Sequence, residues 1–91
     1  MKRTVASLTD DEIVDAVASF GITGAGHWAL LERLGCHVSG NNEFALGYRI
    51  RQSDRFASTS NGVVFLDARE WSKRLANLPA DDIARILAGA S

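Results

Sequence analysis

Three side chains of this sequence could bind a transition metal or act in nucleophilic catalysis: His27, Cys36 and His37. Zinc sites usually combine four ligands in paired short spacings, and the adjacent Cys36 and His37 are poorly placed to bind one ion together. A Cys–His hydrolase or transferase acting through His27 and Cys36 would also need an orienting group and an oxyanion loop, and neither is recognisable nearby. We therefore predict no metal, no cofactor and no enzymatic activity, and slow labelling of Cys36 would remove the enzyme alternative.

The glycine-rich stretch at residues 21–26, Gly-Ile-Thr-Gly-Ala-Gly, has the composition of a phosphate-binding loop. Such a loop follows a strand and leads into a Lys-Ser or Lys-Thr pair, whereas here a capped helix precedes the glycines. A connection between two helices that needs positive φ angles is the better explanation. The acidic pairs Asp10-Asp11 and Asp81-Asp82 likewise fit helix N-termini and lack the alternating ligands of a calcium loop.

The recognition of another macromolecule is indicated by Arg49, Arg51, Phe56 and Phe65. Arginine and aromatic side chains are enriched at protein interfaces, and both also stack on nucleic-acid bases. These four residues form one surface only if the chain places them on the same face of a sheet. We predict that it does, and that this face binds a partner.

The element that would position them is a three-stranded antiparallel meander predicted over residues 44–67. Alternation in residues 44–51 is typical of a half-buried strand. Asn61-Gly62 predicts a two-residue type I′ hairpin turn, and a second tight turn is predicted at Ser53-Asp54. Both turns sort the side chains in the same way, and a slip of one residue would destroy that agreement. The predicted core face consists of Phe44, Leu46, Tyr48, Ile50, Ala57, Thr59, Val64 and Leu66.

Two helices are predicted before the sheet and two after it. Thr9 is a good N-cap for the first helix, and Glu12 completes a capping box. Asp67 is a second N-cap directly after the last strand, and Pro79 separates the final two helices. Strands bracketed by helices indicate a single α+β domain over residues 1–91, with the helices packed on the sheet.

The composition is that of an ordinary globular chain, with 46% hydrophobic and 23% charged residues in a length of 91. A net charge of −1 gives no overall attraction to nucleic acid or to an anionic membrane. One cysteine excludes an internal disulfide and suits a reducing compartment. No stretch approaches the roughly 18 apolar residues of a membrane span, and no signal peptide is recognisable, so we expect a cytoplasmic protein.

These features favour a small non-enzymatic module that binds another protein through the predicted sheet face. Inhibitors and adaptors, including phage- or mobile-element-encoded inhibitors of host systems, share this general profile. The same face could instead be covered by a helix of the chain, or by a second copy in a homodimer.

The alternative function is that of a DNA-binding regulator. Two helices joined by a glycine-containing turn and followed by an antiparallel hairpin resemble a winged helix-turn-helix. The candidate recognition helix at residues 27–34 offers one arginine and no Lys, Asn or Gln for base edges or phosphates. Nucleic acid is therefore not the partner that we expect.

Overall fold

The computed structural model describes residues 2–88 of the chain. A short 3₁₀ turn (Val5–Ser7) is followed by α1 (Asp10–Ser19), β1 (Ala25–Gly26), α2 (His27–Arg33), α3 (Gly40–Gln52), β2 (Phe56–Ser58), β3 (Val63–Leu66), α4 (Ala68–Leu75) and α5 (Ala80–Leu87). The strands form one antiparallel sheet in the order β1-β3-β2. The predicted α+β class, the three-stranded antiparallel sheet and the two helices after it are confirmed, but one strand lies elsewhere in the chain.

Residues 44–51, predicted as the first strand of the meander, lie inside helix α3. Ser39 caps this helix, because its hydroxyl accepts a hydrogen bond from the backbone N–H of Asn42 at 3.2 Å. Ser53 and Asp54 therefore connect a helix to β2 and do not form a turn between two strands.

Because residues 44–51 form a helix and not the predicted strand, the residues predicted to share the core face lie on two sides of α3. Alternate residues share one face of a strand, but they lie about 200° apart around a helix of 3.6 residues per turn. Leu46 and Ile50 are accordingly buried, as predicted, whereas Phe44 and Tyr48 are exposed on the opposite side.

The third strand is β1, and it comes from the glycine-rich stretch that was expected to be only a connection. Ala25 and Gly26 pair with Val64 and Val63 of β3. Gly24 has a φ angle of +76°, and a Cβ atom there would lie 2.1 Å from the carbonyl oxygen of Val64. The prediction of positive φ is thus confirmed, and the glycine also allows two backbones to approach closely.

The β2–β3 hairpin forms at the predicted turn, but its register differs by one residue. Gly62 has a φ of +83°, whereas Asn61 lacks the positive φ that a type I′ turn requires. The loop consists of residues 60–62, and the backbone N–H of Thr59 donates to the carbonyl of Val63. The observed pairs are Phe56 with Leu66, Ala57 with Phe65 and Ser58 with Val64. Because a one-residue slip exchanges the two faces of a strand, Phe56 moves from the predicted outer face into the core.

Helix capping follows the sequence closely. The Thr9 hydroxyl accepts a hydrogen bond from the backbone N–H of Glu12, whose carboxylate accepts one from the backbone N–H of Thr9. The Asp67 carboxylate accepts from the backbone N–H of Arg69 at 3.0 Å. Helix α1 packs on β3, and α2 packs on α3. The largest fully buried side chains are Ile13, Val14, Val17, Leu30, Leu31, Cys36, Leu46 and Val64. In residues 2–88, no helix is long and apolar enough to cross a membrane.

Candidate functional site

The four residues predicted to form a partner-binding sheet face do not share a surface. Arg49 and Arg51 belong to α3, whereas Phe56 and Phe65 belong to β2 and β3. Phe56 is only 8% exposed and belongs to the hydrophobic core, and Phe65 is half-buried. The prediction of a shared face was wrong because its first strand is a helix and its hairpin has a different register.

Arg49 is engaged within the fold. Its guanidinium donates to the carbonyl oxygens of Val5 at 3.1 Å and Leu8 at 2.7 Å. It also pairs with the carboxylate of Asp10 at 2.7 Å. These bonds hold the segment before α1 against α3, so this arginine has a structural role.

Arg51 lies on the opposite side of α3, among exposed side chains. Phe44 is 71% exposed and Tyr48 is 54% exposed. Positions 44, 48 and 51 follow the i, i+4, i+7 spacing that places residues on one side of a helix. We call the side formed by Asn41, Phe44, Tyr48 and Arg51 the α3 outer face.

Trp28 of α2 extends this surface. It is 60% exposed, and its indole N–H donates to the carboxylate of Glu43 on α3 at 2.6 Å. Glu43 precedes Phe44, so the hydrogen bond holds a third exposed ring next to the α3 outer face. Single exposed apolar residues are common on protein surfaces, but a group of them marks an interaction site.

A shallow depression of about 310 Å³ lies at the same surface, lined by His27, Gly40, Glu43, Phe44, Gly47 and Arg51. Gly47 is buried at the base of this depression, and a Cβ atom at this position would make an ordinary contact with Nε2 of His27 at 3.5 Å. The depression therefore offers an aromatic ring, a guanidinium, an imidazole and a carboxylate around a position without a side chain.

Ion pairing removes most positive charge from the surface of the described chain. The paired basic residues are Arg3, Arg49, Arg55, Arg69, Lys73, Arg74 and Arg85. Arg33 stacks on the ring of Phe20 at 4.5 Å and donates to the Ser19 hydroxyl. Arg51 is the basic residue of the α3 outer face. It makes no ion pair with a carboxylate within residues 2–88.

The three side chains considered for metal binding and nucleophilic catalysis do not form one group in the described part of the chain. Cys36 is 1% exposed, and burial raises the pKa of its thiol. His37 is exposed, and His27 lines the depression. In the described part of the chain, no three His, Cys, Asp or Glu side chains are grouped to hold a metal ion. A buried thiol with a raised pKa is a weak nucleophile. The absence of enzymatic activity stays a prediction.

The connectivity α1-β1-α2-α3-β2-β3, with β3 between the other two strands, resembles a winged helix-turn-helix. In that arrangement α3 is the second helix of the pair and the β2–β3 hairpin is the wing. Residues 27–34, considered from the sequence as the recognition helix, would be the first helix of such a pair. Asn41 and Gln52 of α3 supply polar side chains that residues 27–34 lack.

Comparison with known proteins found no matching family model, no matching curated protein and no matching solved structure.

Proposed function

We propose that this protein is a non-enzymatic module that binds another protein through the α3 outer face and Trp28. The observation that carries the proposal is the exposure of Phe44 and Tyr48 on a helix whose opposite side is buried in the core. Aromatic and arginine side chains are the residues that contribute most to the binding energy of protein interfaces. Here a helix with a packed inner side presents them, which lowers the entropic cost of ordering them on binding.

The depression beside Phe44 and Arg51 defines the chemistry of the expected partner. An apolar side chain of the partner would fill the space above Gly47 and contact the ring of Phe44. A carboxylate next to it would pair with Arg51, which has no acidic partner within residues 2–88. Such complementarity between charges sets the orientation and specificity of binding.

DNA binding is the second candidate, and the winged-helix connectivity favours it. Asn41, Arg51 and Gln52 have side-chain types that can contact base edges. However, most affinity for DNA comes from neutralising phosphates with several basic residues. The α3 outer face supplies one arginine, and the wing loop at residues 59–62 contains no basic residue. Connectivity alone is an analogy of fold, so the charge distribution favours a protein partner.

A module of this kind acts by occupying a surface of its partner, as an inhibitor or an adaptor does. The phage- or mobile-element-type inhibitor considered from the sequence belongs to this class. The single buried thiol suits a reducing compartment, and we propose that the protein acts in the cytoplasm.

The proposal can be tested by affinity capture of the tagged protein from its source cells, followed by mass spectrometry. The test variant is Phe44→Ala with Arg51→Ala. Loss of an interface anchor costs about 2 kcal/mol or more, which corresponds to a roughly thirtyfold loss of affinity. We expect the captured protein to disappear while the circular dichroism spectrum and Tm remain close to those of the wild type.

The matched control is Leu87→Ala with Lys73→Ala, which removes one exposed apolar and one exposed basic side chain elsewhere. Capture by the control variant should equal that of the wild type. Retention of the partner by the Phe44 and Arg51 variant would contradict the proposal.

Two further measurements separate the alternatives. Salt-dependent binding of duplex DNA, measured by fluorescence anisotropy and weakened by Asn41→Ala and Arg51→Ala, would favour the regulator. A dimer detected by light scattering and lost in the Phe44 and Arg51 variant would show that the partner is a second copy of the chain.

A further inference from the structure

A second hollow, of about 700 Å³, lies between the end of α1 and the two C-terminal helices, and it shares no lining residue with the depression beside α3. Its apolar lining includes Ala18, Trp71, Leu78 and Ile86. Pockets for small molecules typically have volumes of about 300–1,000 Å³ and mostly apolar linings with a few polar groups. In size and composition the hollow fits a small-molecule site.

Helix α5 covers this region incompletely. None of its residues is buried, and Ile83 and Ile86 are only half-buried although they lie on the apolar side of the helix. The side chains of α1, α4 and α5 therefore leave apolar surface facing the hollow, and a bound apolar group would remove it from water.

Trp71, which lines the hollow, carries a buried polar group without a partner. The residue is 7% exposed, and its buried indole N–H has no hydrogen-bond acceptor among residues 2–88. Buried indole N–H groups usually have an acceptor, because an unsatisfied buried donor is costly. This nitrogen is shielded from solvent, so a ligand in the hollow would contact the ring of Trp71, and the indole N–H would report its binding.

Two arginines add hydrogen-bond donors to the lining, and their charge is balanced by two aspartates that also line the hollow. Arg74 pairs with Asp15 at 3.0 Å, and Arg85 pairs with Asp82. Each guanidinium has five N–H donors, so N–H groups remain for a further acceptor, and a carboxylate is the preferred one. Arg74 also lies three residues after Trp71 on α4, a spacing that places both side chains on the same side of the helix.

We propose that this hollow binds a small carboxylate with an apolar body, of the class of medium-chain fatty acids. The apolar chain lies against Ala18, Leu78 and Ile86, and the carboxylate accepts hydrogen bonds from the remaining N–H groups of Arg74, next to the ring of Trp71. This inference is independent of the proposed protein-binding function, because the two surfaces have no residue in common.

The test uses the Trp28→Phe variant, in which Trp71 is the single tryptophan. Decanoate, added below its micelle concentration, should produce a saturable shift of the single indole N–H resonance and of the tryptophan emission. Decyltrimethylammonium has the same chain but no acceptor, and it should produce neither change. The absence of a response to decanoate, or an equal response to both compounds, would overturn the proposal.

Two substitutions in this background locate the binding. Ala18→Leu fills part of the hollow, and we expect decanoate to bind at least tenfold more weakly, whereas Ala76→Leu at an exposed position outside the lining should leave binding unchanged. Arg74→Gln removes a charged donor and should also weaken binding about tenfold. If Ala18→Leu does not fold, the result for Arg74→Gln decides. Wild-type affinity in the folded variants would place the binding elsewhere and refute the site.

Discussion

The two sides of helix α3 carry similar residue types in opposite environments. On the inner side Leu46 is buried, and Arg49 donates to two backbone carbonyls and an aspartate. On the outer side the ring of Phe44 is exposed, and Arg51 has no ion pair within the described chain. The arginines are two positions apart, yet one stabilises the fold and the other is available to a partner. Position around the helix, and not residue type, decides the role.

The largest effect should come from comparing two phenylalanines. Phe56→Ala removes a core ring and should lower the free energy of unfolding by about 3–5 kcal/mol. Phe44→Ala removes an exposed ring and should change it by no more than about 0.5 kcal/mol. Urea denaturation of both variants measures the difference. A comparable loss in Phe44→Ala would mean that its ring is covered, and the α3 outer face would not be free.

The arginine pair should show the next largest difference. Arg49→Ala leaves the carbonyls of Val5 and Leu8 without their charged donor, and we expect a loss of roughly 1.5–3 kcal/mol in the free energy of unfolding. Arg51→Ala should change this free energy by less than about 0.5 kcal/mol. Denaturant titration tests both variants under the same conditions. Equal effects would contradict the division of roles between the two arginines.

Gly47→Ala separates stability from binding. Alanine is more favourable than glycine inside a helix by about 0.5–1 kcal/mol, and the added Cβ would make only an ordinary contact with His27 at 3.5 Å. We therefore expect a higher Tm but weaker capture of the partner, because the methyl group occupies the depression. Gly62→Ala is the control, and it should lower the Tm, because the φ of +83° at this position is unfavourable for a residue with a side chain. Destabilisation by Gly47→Ala would show that α2 and α3 pack too closely for the depression to accept a ligand.

The smallest expected change in stability concerns Glu12, in the first turn of helix α1, next to the segment that Arg49 holds in place. A hydrogen bond from Arg3, together with the backbone N–H of Thr9, lowers the pKa of Glu12 from 4.5 to about 2. A lowered carboxyl pKa stabilises the folded state above the unfolded pKa, and the stabilisation is lost as the pH falls from about 4.5 towards 2. Glu12→Gln should therefore be less stable than the wild type at pH 6, and the difference should shrink as the pH falls from about 4.5 towards 2, as measured by denaturation across this range.

The matched control for this pH dependence is Glu32→Gln, at an exposed position of α2 that makes no ion pair in residues 2–88. A difference between Glu12→Gln and the wild type that persists unchanged at pH 2 would contradict the role assigned to the carboxylate.

Part of the fold was predictable because its signals are local. The capping residues Thr9 and Asp67 form their bonds within three positions along the chain, so their residue types predict the helix starts directly. The turn at Asn61-Gly62 was predictable for the same reason. Its register was not, because it depends on whether Asn61 as well as Gly62 adopts positive φ, and the same dipeptide fits both loop lengths.

The candidate site was less predictable. Arg51 and Phe44 were both considered from the sequence, but Phe44 was assigned to the core and Arg51 to a sheet. The exposure of Trp28 could not be predicted either, because a tryptophan at an apolar helical position is usually buried. Ser39 is an N-cap residue type, and Glu43 lies in the first turn that follows it. These two signals indicate a helix start and could have identified residues 44–51 as helical.

By itself, the sequence determined the α+β class, the helix caps, the hairpin and the burial of Leu46 and Ile50. Those two residues are four positions apart, a spacing that lies on one face of a helix and also on one face of a strand. The sequence pattern could not choose between these structures for residues 44–51. The tertiary structure decided, because the helix places Leu46 and Ile50 in the core, and the third strand is β1, which pairs with β3 and not with β2, beside which the predicted strand would have lain. That choice exposed Phe44 and Tyr48 and created the surface on which the proposed function rests.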